Sequence, residues 1–422
     1  MPTVNRMAEH TLPFFSAQDT NATDSGSGGG STSSTQPDVT VNVNADVSNQ
    51  SFVTHGFVDL YARLCEPGFK RRGTIERETA LAKQSGFAHI VCAPDTNPSI
   101  DSTATVQQIQ ATAAAVAPVH VHPMGALTIG LEGSKLTELV TLRSAGCLIF
   151  GQADQPISDS SVLLRAMEYA ATFDIPISLR PFDAAFGGTG CVHDGPISSR
   201  HGLPGIPALA ETAGLARLLE LAHASGCRLH VSRLSCARSV KLIQNAKKSG
   251  LNVTADVGIH HLFFTDEQID GYDSRFHSAV PFRSEADRDA LRQGISDGVI
   301  DAICSDHAPL DSDSRLAPLP ATAPGLSCYP QFLALWLALP KLLGVSTYDL
   351  LHTITSSPAR ALGLTLDSEL TPKFVIDPEA AISIDDAAHH NPLTGINNLQ
   401  YITGEDIELR GTATCSELVS RT

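Results

Sequence analysis

Phe57-Val58-Asp59-Leu60-Tyr61-Ala62-Arg63-Leu64-Cys65-Glu66-Pro67-Gly68 is a short apolar run that breaks into charged residues and then into a Pro-Gly turn. Such a run, bounded by turn residues, reads as a buried strand whose end carries polar side chains. The pattern recurs downstream at 88–93 (AHIVCA), 119–125 (VHVHPMG), 147–150 (CLIF), 175–179 (IPISL), 228–232 (RLHVS), 252–256 (NVTAD) and 301–305 (DAICS). Helix-compatible stretches lie between them, at 75–85, 134–145, 160–173 and 208–225 among others. Several stop at Ser85-Gly86, Ala145-Gly146, Ser225-Gly226 or Ser249-Gly250, where glycine suits the left-handed turn that closes a helix. Eight strands alternating with helices over about 300 residues predict an α/β chain folded as a TIM barrel. An open doubly wound sheet uses the same alphabet, but no Gly-x-Gly-x-x-Gly follows the first strand.

The flanks differ in composition. Residues 1–37 end in a Gly/Ser tract and are expected to be disordered, and Val39, Val41 and Val43 alternate with polar residues as one half-buried strand. Beyond residue 365 the periodicity weakens, apart from Phe374-Val375-Ile376-Asp377-Pro378, which reads as a strand. Residues 38–55 and 366–422 are therefore expected to form a small β domain from both ends of the chain, beside a barrel over 56–365.

With 422 residues and 42% hydrophobic content the chain can bury a large core. A net charge of -16 argues against nucleic acid or an anionic membrane as partner. Nine dispersed cysteines without a Cys-x-x-Cys pair suit free thiols in a reducing compartment. The N-terminus lacks the pattern of a secretory signal, and no apolar run nears the ~18 residues of a membrane span. A cytoplasmic protein is expected.

The opening stretch resembles the dihydroorotase signature Asp-Leu-His-x-His-x-Arg-Glu-Pro-Gly, and a series of further matches follows in order over about residues 56–365. Ser178-Leu179-Arg180-Pro181-Phe182-Asp183 resembles His-x-Glu-Asp, His230-Val231-Ser232-Arg233-Leu234-Ser235 resembles His-x-x-His-x-Ser, and Ser305-Asp306-His307-Ala308-Pro309 matches Ser-Asp-His-Ala-Pro. The resemblance implies a barrel of the metal-dependent amidohydrolase type, in which two zinc ions at the strand ends generate hydroxide. Four of its five ligand stations are altered here: Tyr61 and Arg63 stand for two histidines, Gln152 for a bridging ligand (Asp154 lies one or two residues away), and Arg180 and Arg233 for two more histidines. Asp306 is retained. Arginine has no lone pair to give a metal, and tyrosine is a poor ligand at neutral pH. The substrate contacts change as well: Cys65 stands for arginine, Asp95 for asparagine, Ala279 for asparagine and Leu310 for histidine.

The match is nearest to non-catalytic dihydroorotase-like subunits that accompany aspartate carbamoyltransferase, with Glu66-Pro67-Gly68-Phe69-Lys70-Arg71-Arg72-Gly73 among the segments that look like that subgroup. It implies an inert structural subunit in pyrimidine biosynthesis, without zinc, that associates with the carbamoyltransferase catalytic chain and with itself. Two other readings stand beside it: a live zinc-dependent cyclic amidohydrolase with atypical ligands, and a small-anion sensor using an arginine-lined pocket. On the first reading Arg63, Arg180 and Arg233 replace the charge of the zinc ions, paired with Asp306 and Asp95. The alternative is that they point outward into an open mouth. His120-x-His122, His260-His261 and His307 are expected to pack or hydrogen-bond without holding a metal.

Overall fold

Near-continuous apolar runs give each strand two greasy faces, one for a barrel interior and one for the helices outside. A computed structural model of the chain describes residues 50–366, 372–381 and 409–415. The eight barrel strands are Phe57–Ala62, Phe87–Cys92, His120–Pro123 continued by Gly125–Ala126, Phe150–Gly151, Ile177–Leu179, Leu229–Val231, Val253–Gly258 and Ala302–Cys304. Each runs parallel to the next. The third strand breaks at Met124, whose N–H donates to Cys92 O at 2.9 Å while Gly125 N–H donates to Ile149 O at 3.1 Å. Its first half thus pairs with the second strand and its second half with the fourth. The ring closes where His307 bridges Ala62 and Arg63 N–H donates to His307 O at 2.8 Å. The expected barrel is the observed one.

Val58, Leu60, Val91, Met124, Ile149, Ala302 and Cys304 form one buried cluster. The alternate positions Phe57, Phe87, Phe150, Ile177 and Leu229 belong to the larger core that includes helical residues. Helices Ile75–Gln84, Ser160–Thr172 and Ala208–Ser225 lie close to their expected places, and Gly86, Gly146, Gly226 and Gly250 all have positive φ. One expected helix is shorter. It spans Leu139–Ser144 and not 134–145, because Leu136 bridges Thr128 and the Thr137 hydroxyl donates to Ala126 O at 2.6 Å. Those bonds fasten 134–138 to the chain leaving the third strand.

Between the fifth and sixth strands the chain makes an excursion that periodicity gave no hint of. Val192–His193 pairs with Gly205–Ile206, and helix Pro196–His201 lies between them. At the termini, Phe52–His55 runs antiparallel to Lys373–Ala381, which runs antiparallel to Arg410–Cys415. Phe374 and Ile376 face inward from this sheet. The expected strand at Val39–Val43 and the disorder expected of residues 1–37 lie outside the described residues.

Several imidazoles are buried uncharged. Burial pushes His260 down to about 3 and His277 down to about 4, the latter helped by the nearby Arg315 guanidinium. His89 and His122, stacked with His120 on neighbouring strands, go the same way to about 4 and about 3. These groups bind fewer protons folded than unfolded, so their contribution is complete above pH ~6.5 and is lost as pH falls toward their folded values. Burial raises Asp59 to about 6, which works in the opposite sense and cancels one of them between pH 6 and 4. Unfolding free energy should therefore fall as pH drops from 6.5 to 4.5. Replacing His277 by Gln should flatten that slope by roughly 1.4 kcal/mol per pH unit, as measured by urea unfolding across the range.

Candidate functional site

The mouth at the C-terminal ends of the strands collects side chains from six of them. Tyr61 and Arg63 leave the first strand, Asp95 follows the second, Asp154 the fourth, Arg180 the fifth, Arg233 the sixth and Asp306 the eighth. Four residues at these ends, Cys65, Ala153, Arg233 and Asp306, have φ between 46° and 61°. A side chain in that region costs about 1–2 kcal/mol, and the packing around the mouth holds all four there. Gly68 follows the first of these turns with φ +103°, and a Cβ on it would lie 2.5 Å from the Asn97 Cβ. That close approach holds the loop carrying Arg63 against the loop carrying Asp95.

Asp154 is the centre of the arrangement. Its Oδ1 accepts from Arg180 Nη1 at 3.0 Å and from Arg233 Nη2 at 2.9 Å, and its Oδ2 accepts from Arg63 Nη2. Arg63 also donates through Nε to Asp95 Oδ2 at 2.8 Å and through Nη2 to the Tyr61 hydroxyl at 3.0 Å. Arg233, 1% exposed, reaches Asp306 Oδ1 at 3.0 Å and lies over the Tyr61 ring with its guanidinium carbon 3.8 Å from the centroid. Arg180 donates to the Ala279 carbonyl at 2.7 Å and covers the Phe182 ring at 4.6 Å. Three guanidinium groups thus meet three carboxylates, and the cluster is electrically balanced.

The titration behaviour follows from that balance. Burial pulls Asp154 up, but Arg233, Arg63 and Arg180 outweigh it and hold the carboxyl well below its ordinary value. Burial acts downward on Arg63 and Arg233, and the neighbouring anions more than reverse it, leaving both well above the usual guanidinium value. Burial raises the Tyr61 phenol, against the pull of Arg233 and Arg63, so it stays protonated.

The sequence reading gave the arginines Asp306 and Asp95 as partners. Arg63 does pair with Asp95 and Arg233 with Asp306, but the structure adds a centre: Asp154 binds all three, and Arg180 pairs with Asp154 and not with Asp306. The displacement comes from Ala153, whose φ of 50° turns the next residue into the mouth. Gln152 faces away, donating to the Thr128 hydroxyl at 2.7 Å. The arginines do not point outward: Arg180 and Arg233 are 9% and 1% exposed at the side chain.

A divalent metal does not fit this donor set. Three of the positions are cations without a lone pair, the Tyr61 oxygen accepts from Arg63, and both Asp154 oxygens are engaged by guanidinium groups. His261 donates through Nε2 to the Val280 carbonyl at 3.1 Å, and its buried Nδ1 has no hydrogen-bond partner among the described residues. Among the described residues no group of three His, Cys, Asp or Glu side chains is arranged to hold a metal.

Above the cluster opens a cavity of about 350 Å³ whose lining includes Arg63, Cys65, Arg72, Asp95, Ala279 and Leu310. His307 is not part of it. Its Nδ1 accepts from Cys328 N–H at 2.9 Å, so the proton sits on Nε2, which donates to the buried Glu78 at 2.9 Å. Burial raises Glu78, but the hydrogen bond from His307 and the adjacent Arg77 guanidinium outweigh it and the carboxyl lies below its ordinary value. His260 and His261 are likewise buried.

Comparison with known proteins agrees with this framework. A family model described as "Dihydro-orotase-like" matches residues 51–239. A dihydroorotase-like protein of Pseudomonas putida is 43% identical over 309 residues, covering 73% of this chain and 72% of the relative. A dihydroorotase of Syntrophotalea carbinolica is 34% identical over 371 residues, covering 86% and 85%. Among solved structures, an L-hydantoinase (dihydropyrimidinase) from Arthrobacter aurescens superposes with a TM-score of 0.72 at 19% identity, covering 86% of this chain and 84% of that one. The latter likeness is one of fold alone.

If Asp154 neutralises three buried cations, Asp154→Ala should destabilise the chain by about 3–5 kcal/mol, the range for breaking a buried pair. Asp306→Ala removes one bond of Arg233 and leaves Asp154 in place, so it should cost less, about 1–3 kcal/mol. Denaturant unfolding of both variants checks the order. Equal losses would mean that Asp154 is not the hub.

Proposed function

The chain belongs to the dihydroorotase-like family of the amidohydrolase superfamily, and we propose that it is a catalytically inert member serving as a structural and assembly subunit of aspartate carbamoyltransferase in pyrimidine biosynthesis. The observation that carries the inert part is the guanidinium–carboxylate cluster at the strand ends. Opening a cyclic amide at neutral pH needs an activated water, which two-metal sites produce by lowering its pKa. Here the side chains that stand at the ligand stations are positively charged or already hydrogen-bonded. Asp306, the carboxylate available to move a proton, accepts from Arg233.

Support for the assembly role is of a different kind. It rests on the resemblance to carbamoyltransferase-associated subunits read in the sequence. The Pseudomonas relatives carry the name dihydroorotase-like protein, whereas others carry the name dihydroorotase. On this reading the barrel is a scaffold that works in the cytoplasm, within a hetero-oligomer and against further copies of itself.

The purified chain should hold no stoichiometric zinc by elemental analysis and should not interconvert dihydroorotate and carbamoyl aspartate. Expressed with its own aspartate carbamoyltransferase, it should co-elute with that enzyme in size-exclusion chromatography. Stoichiometric zinc together with turnover abolished by Asp306→Ala would instead establish a live cyclic amidohydrolase with unusual ligands. A chain that elutes apart from the carbamoyltransferase would remove the assembly role.

A further inference from the structure

We propose that the cavity above the arginine cluster binds a small zwitterion with an apolar body, such as an aliphatic α-amino acid. The inference rests on the lining of the cavity and not on any assembly partner. At about 350 Å³ the space falls within the ~300–1,000 Å³ of small-molecule sites.

Its walls offer one group of each sign with hydrogen-bonding capacity left over. Asp95 uses Oδ2 for Arg63, while its Oδ1 has no hydrogen-bond donor among the described residues, and the side chain is 28% exposed. Arg72 stacks on Phe69 at 5.5 Å and lies 3.9 Å from the Asp311 carboxylate, beyond hydrogen-bonding distance. Its side-chain donors make no hydrogen bond among the described residues. A ligand ammonium on Asp95 and a ligand carboxylate on Arg72 would satisfy both.

Charge balance separates this ligand from an anion. The charged residues lining the cavity are Arg63, Arg72, Asp95 and Asp154, two cations against two anions. A ligand of net negative charge would enter a partly desolvated, neutral site without a counter-charge, whereas a zwitterion adds no net charge. The walls also argue for an apolar body. Cys65, Ala279 and Leu310 line the space with Phe69 and Pro309. These three stand where the resemblance places an arginine, an asparagine and a histidine, the grips for an acidic substrate.

Isothermal titration of the full metal-free chain with L-leucine tests this, beside 3-methylbutylamine, 4-methylpentanoate, succinate and hydantoin. We expect saturable binding of leucine, with the amine and the acid weaker by at least about tenfold for want of one charged hydrogen bond. Asp95→Asn and Arg72→Gln should each weaken leucine by a similar factor. Should Asp95→Asn fail to fold, Arg72→Gln alone decides, since Arg72 is a rim residue with no side-chain hydrogen bond within the described chain. No saturable binding of leucine overturns the proposal. So does binding of 4-methylpentanoate or succinate as tight as leucine, which would make this an anion site, or preferential binding of hydantoin, which would mark a neutral ureide site. None of these readouts depends on zinc, turnover or the carbamoyltransferase, so their failure leaves the reading of the chain as an inert subunit standing.

Discussion

One carboxylate holding three guanidinium groups is the interaction on which the mouth of this barrel depends. Asp154 receives Arg63, Arg180 and Arg233 from three different strand ends, and through them it is tied to Asp95, Asp306 and the Tyr61 ring. Three cations gathered without that carboxylate would repel one another at several kcal/mol per pair, taking an effective dielectric of about 20. The resemblance implies that metal ions once supplied positive charge at this spot and carboxylates and imidazoles surrounded it. Here the charge is carried on side chains and the anions surround those. The electrostatic frame is kept, and guanidinium donors stand where the resemblance implies metal-ligating lone pairs.

Much of the fold was legible in the sequence because barrel strands are short, apolar and evenly spaced, and every one of the eight runs found a strand near its place. What escaped was set by backbone bonds that no periodicity encodes. Residues 134–138 look helical, but a bridge at Leu136 and the Thr137 hydroxyl keep them extended against the third strand. The excursion around Val192 and Gly205 has strands of two residues, too short to leave a pattern.

The site was legible in its parts and not in its centre. Tyr61, Arg63, Arg180, Arg233 and Asp306 could be assigned to strand ends by counting along motifs, and those ends meet in any closed barrel. Asp154 could not be placed by counting, since its position depends on a left-handed turn at an alanine, a residue that seldom adopts one. The usable signal was chemical: three arginines at one mouth demand an anion near each, and Asp154 was the unassigned carboxylate nearest the fourth strand end.

The motif residues that do match the family have work to do that is unrelated to hydrolysis. Asp59, fully buried, accepts from Ser305 N–H at 3.0 Å, from the Ser305 hydroxyl and from the Tyr329 hydroxyl at 2.9 Å. It thereby links the first strand to the eighth and to helix Tyr329–Leu343 across the seam where the barrel closes. His307 joins the eighth strand end to Glu78 on helix Ile75–Gln84 and stacks on Tyr329 at 4.2 Å. His230 lies between Thr254 and Asp256 of the seventh strand. Each is a buried polar group that would be costly to leave unpaired, so removing one partner strands the other. A signature of this kind therefore has two layers: side chains that hold strand to strand, and side chains that once faced the metals. The second can be exchanged for an internally neutralised set such as Arg63, Arg180, Arg233 and Asp154 without disturbing the first. That is why the sequence can match a hydrolase in its order of motifs while the chemistry at its strand ends has changed.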